Sequence, residues 1–268
     1  MSHEKVRHLT FDLCRESAFS FTCRACSRCC QGKVILVGPH EILGMSRTLE
    51  IGTTEFLSRY TEQGGTALRT TEDGRCVFVG PDGCRVHARR PLVCRLYPLG
   101  RKTDSQGRES FAMYATQPDC EAVIGREGTV AEFLESQGVK SYFVWSRRYG
   151  EIYRRMIELL GSVEPDPELG QEAEPEARKA TAAGMEPSQH GELRAGSDTG
   201  AETEPETGPT DEPAPVPATH LSPWQDIDAS LGEYCAAKGI TPPADIDTAI
   251  DLHIRAMEEW LEDLEGKP

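Results

Sequence analysis

Apolar positions in this chain fall into short continuous runs and helix-spaced stripes, and together the two spacings predict a mixed fold. Val34, Ile35, Leu36 and Val37 form a run closed by Gly38 and Pro39, the mark of a short buried strand. A helix is expected next, with Pro39 in its first turn and Ile42, Leu43 and Met45 as its apolar stripe. Thr53 or Thr54 is placed to cap a second short helix carrying Phe56, Leu57 and Tyr60. Residues 76–79 and 110–114 read as strands, with a turn-rich stretch between them. Thr129 and Glu132 have capping-box spacing for a helix through Ser136. A longer helix over residues 140–160, ended by Gly161, carries Phe143, Tyr149, Tyr153 and Met156, for which core packing is the plain reading.

Near the other end, Ser222 is placed to cap a helix with Pro223 at its first position, running to about Lys238 and stopped by Gly239. A second helix from Pro243 or Asp245 sets Ile246, Ile250, Ile254, Met257, Leu261 and Leu264 at steps of four and three. A helical pair of roughly 45 residues forms too little core to stand alone. It is expected to dock on the rest of the chain, on a second copy or on another protein. Between them, residues 162–222 contain no Ile, Phe, Tyr, Trp or Cys, but 9 Pro and 6 Gly. Such a stretch buries too little apolar area to offset about 1–2 kcal/mol of backbone entropy per ordered residue, which predicts a disordered linker.

Charge sharpens this division. The chain of 268 residues carries a formal charge of -15, and the linker, with 14 acidic and 3 basic side chains, supplies most of it. An acidic chain lacks the Lys and Arg that non-specific nucleic-acid binding requires. No window approaches the roughly 18–20 apolar residues that span a bilayer, and residues 1–10 lack the apolar run of a secretory signal. No nucleic-acid partner, no membrane partner and a cytoplasmic, reducing location are therefore expected.

In that setting the cysteines become the main chemical signal. Eight of the ten lie at Cys23, Cys26, Cys29, Cys30, Cys76, Cys84, Cys94 and Cys120, while Cys14 and Cys235 stand apart. In a reducing compartment such clusters hold metal more often than disulfides. Cys23, Cys26 and Cys29 have the spacing with which a loop wraps one centre, and thiolates select iron–sulfur clusters, zinc or copper(I) over magnesium or calcium. Adjacent side chains diverge, so Cys29 and Cys30 are expected to serve two centres or to bridge. Arg24, Arg28 and Lys33 flank the first cluster, and Arg85, Arg89, Arg90, Arg95, Arg101, Lys102 and Arg108 face only Asp104 in the later stretch. Such cations would offset thiolate charge; a solvated basic face is the plain alternative.

The segments Cys23-Arg-Ala-Cys26-Ser-Arg-Cys29-Cys30, Cys76-Val-Phe, Gly83-Cys84-Arg-Val-His87 and Arg90-Pro-Leu-Val-Cys94-Arg-Leu-Tyr-Pro98, with the later Cys120, resemble the YkgJ-type cysteine-cluster family. The resemblance covers roughly residues 15–160. It implies a zinc- or iron-chelating domain, and it extends to flagellin lysine-N-methylases. In that family a Gly usually precedes the paired cysteines, where this chain has Ser27-Arg28. Pro91 and Pro98 bracket Cys94 and fix the backbone around it, which makes Arg90, Arg95 and Tyr97 candidate cofactor-supporting residues.

The expected architecture is α+β. A small irregular metal-stapled domain occupies residues 1–161, a disordered acidic linker residues 162–222 and a C-terminal helical pair residues 223–268. The expected function is metal binding, as an iron–sulfur cluster or zinc, with a redox role. A protein-lysine methyltransferase-like enzyme and a zinc-stapled adaptor, recruiting a protein partner through the C-terminal helices, are the alternatives. Against the methyltransferase stands the lack of a G-x-G-x-x-G loop at a strand-to-helix junction.

Overall fold

The computed structural model describes residues 9–117, 119–161 and 223–266. The linker and Ser222 as a cap lie outside the described residues. The helices are α1 (Pro39–Thr48), α2 (Thr53–Tyr60), α3 (Leu92–Leu96), α4 (Val130–Ser136), α5 (Lys140–Gly161), α6 (Ile227–Lys238) and α7 (Ile246–Glu265). The strands are β1 (Ala18–Thr22), β2 (Thr61–Glu62), β3 (Ala67–Leu68), β4 (Val79–Gly80), β5 (Gly83–Cys84), β6 (Leu99–Thr103), β7 (Glu109–Met113) and β8 (Val123–Thr129). The fold is α+β.

All sheet structure among the described residues is in two-stranded antiparallel ribbons, β1–β8, β2–β3, β4–β5 and β6–β7. Two-stranded ribbons are marginal alone, so each depends on helices packed against it. Phe19 of β1 meets Phe133 of α4 edge to face at 5.0 Å, and Phe111 of β7 is fully buried in the same cluster as Val130, Leu134 and Val139. The Thr129–Glu132 capping box is present, with the Glu132 carboxylate accepting the Thr129 N–H at 2.8 Å.

Two expected strands take other forms. Residues 34–37 are extended, but only Leu36 bridges a neighbour, Ala67. Ile35 and Val37 are buried while Val34 and Leu36 are exposed, because the segment has a hydrophobic partner on one face only. Cys76 forms an isolated bridge with Thr70, and the chain then turns, with the Val79 N–H donating to the Cys76 carbonyl at 3.0 Å. That turn carries Phe78 into the core beside Phe56 and Tyr60, where an extended run would point alternate residues to solvent.

The C-terminal helices dock in cis. Ile227, Leu231, Ile250, Ile254 and Leu261 share one buried cluster with Leu43 of α1 and Tyr142, Trp145, Tyr149 and Ile152 of α5. Arg148 pairs with Glu258 and Arg155 with Glu265 along the α5–α7 contact. The caps of α2 and α6 differ from those read in the sequence. α2 has Gly52 at its N-cap, and the Thr53 and Thr54 hydroxyls donate to the Asp226 carboxylate at 2.5 and 2.6 Å. The Thr53 N–H donates to Asp228 at 2.8 Å, and Asp228 also pairs with Arg47. Asp226 is at the same time the N-cap of α6, accepting from the Ala229 N–H at 3.1 Å. α7 is capped by Asp245.

Candidate metal centre

The cysteine-bearing segments are brought together by backbone contacts. A 3-10 turn at Arg28–Cys30 places the paired cysteines, and the Cys30 carbonyl accepts the Cys76 N–H at 2.9 Å. Cys84 stands opposite Val79 in the β4–β5 ribbon, and Cys94 rides on α3. The Gln117 N–H donates to the Tyr97 hydroxyl at 3.2 Å, which ties the turn before Cys120 to the segment after Cys94. Ser27 and Ala25 have φ of 56° and 54°. This left-handed region favours glycine, so Ser27 holds by local context a conformation that glycine adopts freely.

The sulfurs form an inner and an outer group. Cys29 and Cys30 lie 3.9 Å apart, and Cys29, Cys76, Cys84 and Cys94 act electrostatically on one another. The two vicinal thiols share one hydrogen bond. That bond, helped by Lys33 and Arg90, brings Cys29 down to about 6 against the opposing effect of burial, while Cys30 is driven far up. Burial, then repulsion by Cys76, Cys29 and Cys84, pushes Cys94 up to about 12. Burial likewise raises Cys76 and Cys84. Cys26 and Cys120 form the outer pair. The Glu121 and Arg28 backbone N–H groups lower Cys26, whereas burial raises Cys120.

One local feature repeats. The Ala25 N–H donates to the Cys23 sulfur at 3.4 Å, and the N–H groups of Arg28, Phe78, Val86 and Ala122 act in the same sense on Cys26, Cys76, Cys84 and Cys120. In each case the donor is two residues beyond the cysteine. An N–H aimed at sulfur stabilises thiolate, free or metal-bound, so the donor set fits a thiophilic metal. The sulfurs are gathered without being drawn to ligand distance: among the described residues no group of three or more His, Cys, Asp or Glu side chains is placed to hold an ion. Cys14 is exposed and bonds to Ser17, and Cys235 is buried in α6, so neither joins the cluster.

Of the three supporting residues, Arg90 is half-buried and faces Cys94, Cys23 and Cys84, while its Nη2 donates to Gln137 Oε1 at 2.6 Å. Arg95 is buried and donates to the carbonyls of Arg90, Gln137 and Ala88 at 3.1, 2.7 and 2.6 Å, and to the Tyr142 hydroxyl. Tyr97 lies beneath Lys33, whose Nζ is 4.0 Å from the ring centroid, with Cys120, Cys29 and Cys26 near its hydroxyl. The basic stretch is partly consumed by ion pairs, Arg101 with Glu109 and Arg108 with Asp104. His87 is exposed and 3.4 Å from Arg90. Sequence reasoning overlooked Glu41, a buried carboxylate whose Oε1 accepts the Leu92 N–H at 2.6 Å and whose Oε2 accepts the Gly38 N–H at 2.8 Å. Its signal was present, a Glu three residues beyond the Gly38 cap.

Residues 22–121 match a family model described as "CxxCxxCC: Putative zinc- or iron-chelating domain". All eight clustered cysteines fall within the matched span, which covers 100 of the 268 residues. No curated protein and no solved structure matches the chain. Among the described residues, no helix is long and apolar enough to cross a membrane.

Proposed function

We propose that the eight-cysteine cluster is a thiolate metal centre, and that metal binding is the function of this domain. The observation that carries the reading is the gathering of cysteines from separate segments around the Cys29–Cys30 pair, whose sulfurs lie 3.9 Å apart, with Cys76, Cys84 and Cys94 within electrostatic reach of Cys29. Isolated thiols serving as small hydrophobes need no such grouping. The inner group, Cys29, Cys30, Cys76, Cys84 and Cys94, holds the centre. Cys23, Cys26 and Cys120 form its outer, more exposed side. Arg90 and Lys33 offset thiolate charge at the inner group. When bound, an iron–sulfur centre would supply one-electron chemistry and zinc would supply structural cross-linking. The CxxCxxC run with remote cysteines favours iron–sulfur, and the domain is read as redox-active on that ground.

Anaerobic purification with metal and sulfide analysis and an absorption spectrum tests this. A brown protein containing iron and acid-labile sulfide is expected. Stoichiometric zinc in a colourless protein supports the centre and replaces its chemistry, whereas a folded chain with eight free thiols and no bound metal overturns the reading.

A further inference from the structure

Cys94 is the one clustered cysteine carried by an α-helix, and that helix, α3, spans only five residues with no side-chain cap at Pro91. So short a helix cannot fix its own direction, because the nucleation penalty exceeds what one turn returns. Its orientation must come from outside. Glu41 meets that need with one oxygen on each of two backbone N–H groups: Leu92, the first residue of α3, and Gly38, the N-cap of α1. A carboxylate buried to this degree is costly unless fully hydrogen-bonded. The two N–H groups satisfy it, and in doing so make it a strut between the helices.

We propose that Glu41 is a positioning residue, a strut from α1 to the start of α3 that sets the direction of the Cys94 sulfur toward the inner thiol group. The proposal rests on the metal-centre reading and adds a specific determinant of its geometry. Arg95, on α3, ties the helix to the segment ahead of it and to Gln137 through the carbonyls of Ala88, Arg90 and Gln137. Mere capping of α1 would need only the Gly38 contact, so the second contact, to Leu92, is what carries the assignment.

Glu41→Gln keeps one acceptor oxygen and turns an NH2 toward the other N–H. The full chain, reduced and metal-free, is titrated with cobalt(II) and then competed with zinc(II). In parallel, Cys94 alkylation by iodoacetamide is timed against Cys76 by mass spectrometry without metal. Glu41→Gln is expected to weaken zinc binding about 10- to 100-fold, in the range of other supporting-shell changes. It should also shift the sulfur-to-cobalt absorption and speed alkylation at Cys94 selectively. Wild-type affinity, absorption and alkylation in that variant would overturn the strut, as would a lowered melting temperature with all three unchanged. Because the Glu41 charge itself raises Cys94, Glu41→Asp, which keeps the charge and retracts both oxygens by one methylene, is run beside it and must show the same shifts. Cobalt refused by the wild type overturns the metal reading, while the alkylation ratio in Glu41→Asp still reports whether Glu41 directs Cys94.

Discussion

His40 and His253 are buried in the contacts among α1, α5 and α7, each with one ring nitrogen, His40 Nδ1 and His253 Nε2, lacking a hydrogen bond. His40 stacks on Tyr149 at 5.7 Å, and the Tyr149 hydroxyl lies 2.9 Å from His253 Nδ1. Burial depresses His40 to about 3 and His253 to about 4. In the unfolded chain both protonate near pH 6.5, so below that pH the unfolded state takes up protons that the native state refuses. Their stabilisation is complete above about pH 6.5. It is lost as pH falls toward about 4 for His253 and about 3 for His40. Each contributes a slope of about 1.4 kcal/mol per pH unit in that window. His253→Gln should remove its share between pH 6 and 5, as measured by urea unfolding followed through tryptophan fluorescence; an unchanged slope would refute the assignment. The histidines were invisible as a pair in the sequence, since 213 positions separate residues 40 and 253 and nothing local marks either as buried. The cysteines were legible because their spacing is itself the chemical signal. Ser27 shows the boundary: its departure from glycine could be read, but its left-handed backbone could not.

Among elements, legibility followed locality. α4, α5 and α7 emerged from capping and periodicity, because the determining contacts lie within one or two turns. β1 and β8 escaped notice, since neither alternates strongly and each is defined by its partner at the far end of the cysteine domain. The caps of α2 and α6 escaped for the same reason. Thr53 has the right chemistry for a cap, yet the structure uses its hydroxyl as a donor to Asp226, with Gly52 at the cap position. One carboxylate thus serves the N-termini of two helices. Asp226→Ala should therefore destabilise the protein by about 2 kcal/mol or more, above the roughly 1 kcal/mol of a single cap. Asp245→Ala, which affects only α7, should stay near the single-cap value. Equal losses in chemical denaturation would show that the α2–α6 joint contributes nothing beyond an ordinary cap.

For the molecule as a whole, the helical pair and the cysteine domain share a core. Leu43 lies in the C-terminal cluster, while its α1 neighbours Ile42 and Met45 lie in the cluster beside Cys76, Cys84 and Cys94. α1 is therefore common to both. A chain truncated before residue 223 would expose Leu43, Tyr142, Trp145, Tyr149 and Ile152 together and leave the α2 terminus without Asp226 and Asp228. Burial of side chains of this size is worth about 1.5–3 kcal/mol each, comparable in total with the whole stability of a domain. The truncated chain should bind a hydrophobic dye and lose its cooperative melt. A truncation that melts like the full chain would show that the shared cluster is dispensable.

The α5–α6 junction has one more consequence. Tyr153 of α5 sits 6.0 Å from Trp224, just ahead of α6, so two rings 71 positions apart in sequence meet in one contact. Bringing together two positions so far apart in sequence becomes only about 0.6 kcal/mol harder for each doubling of their separation. That joint is accordingly held by its packing far more than by the length of chain separating its two halves in sequence.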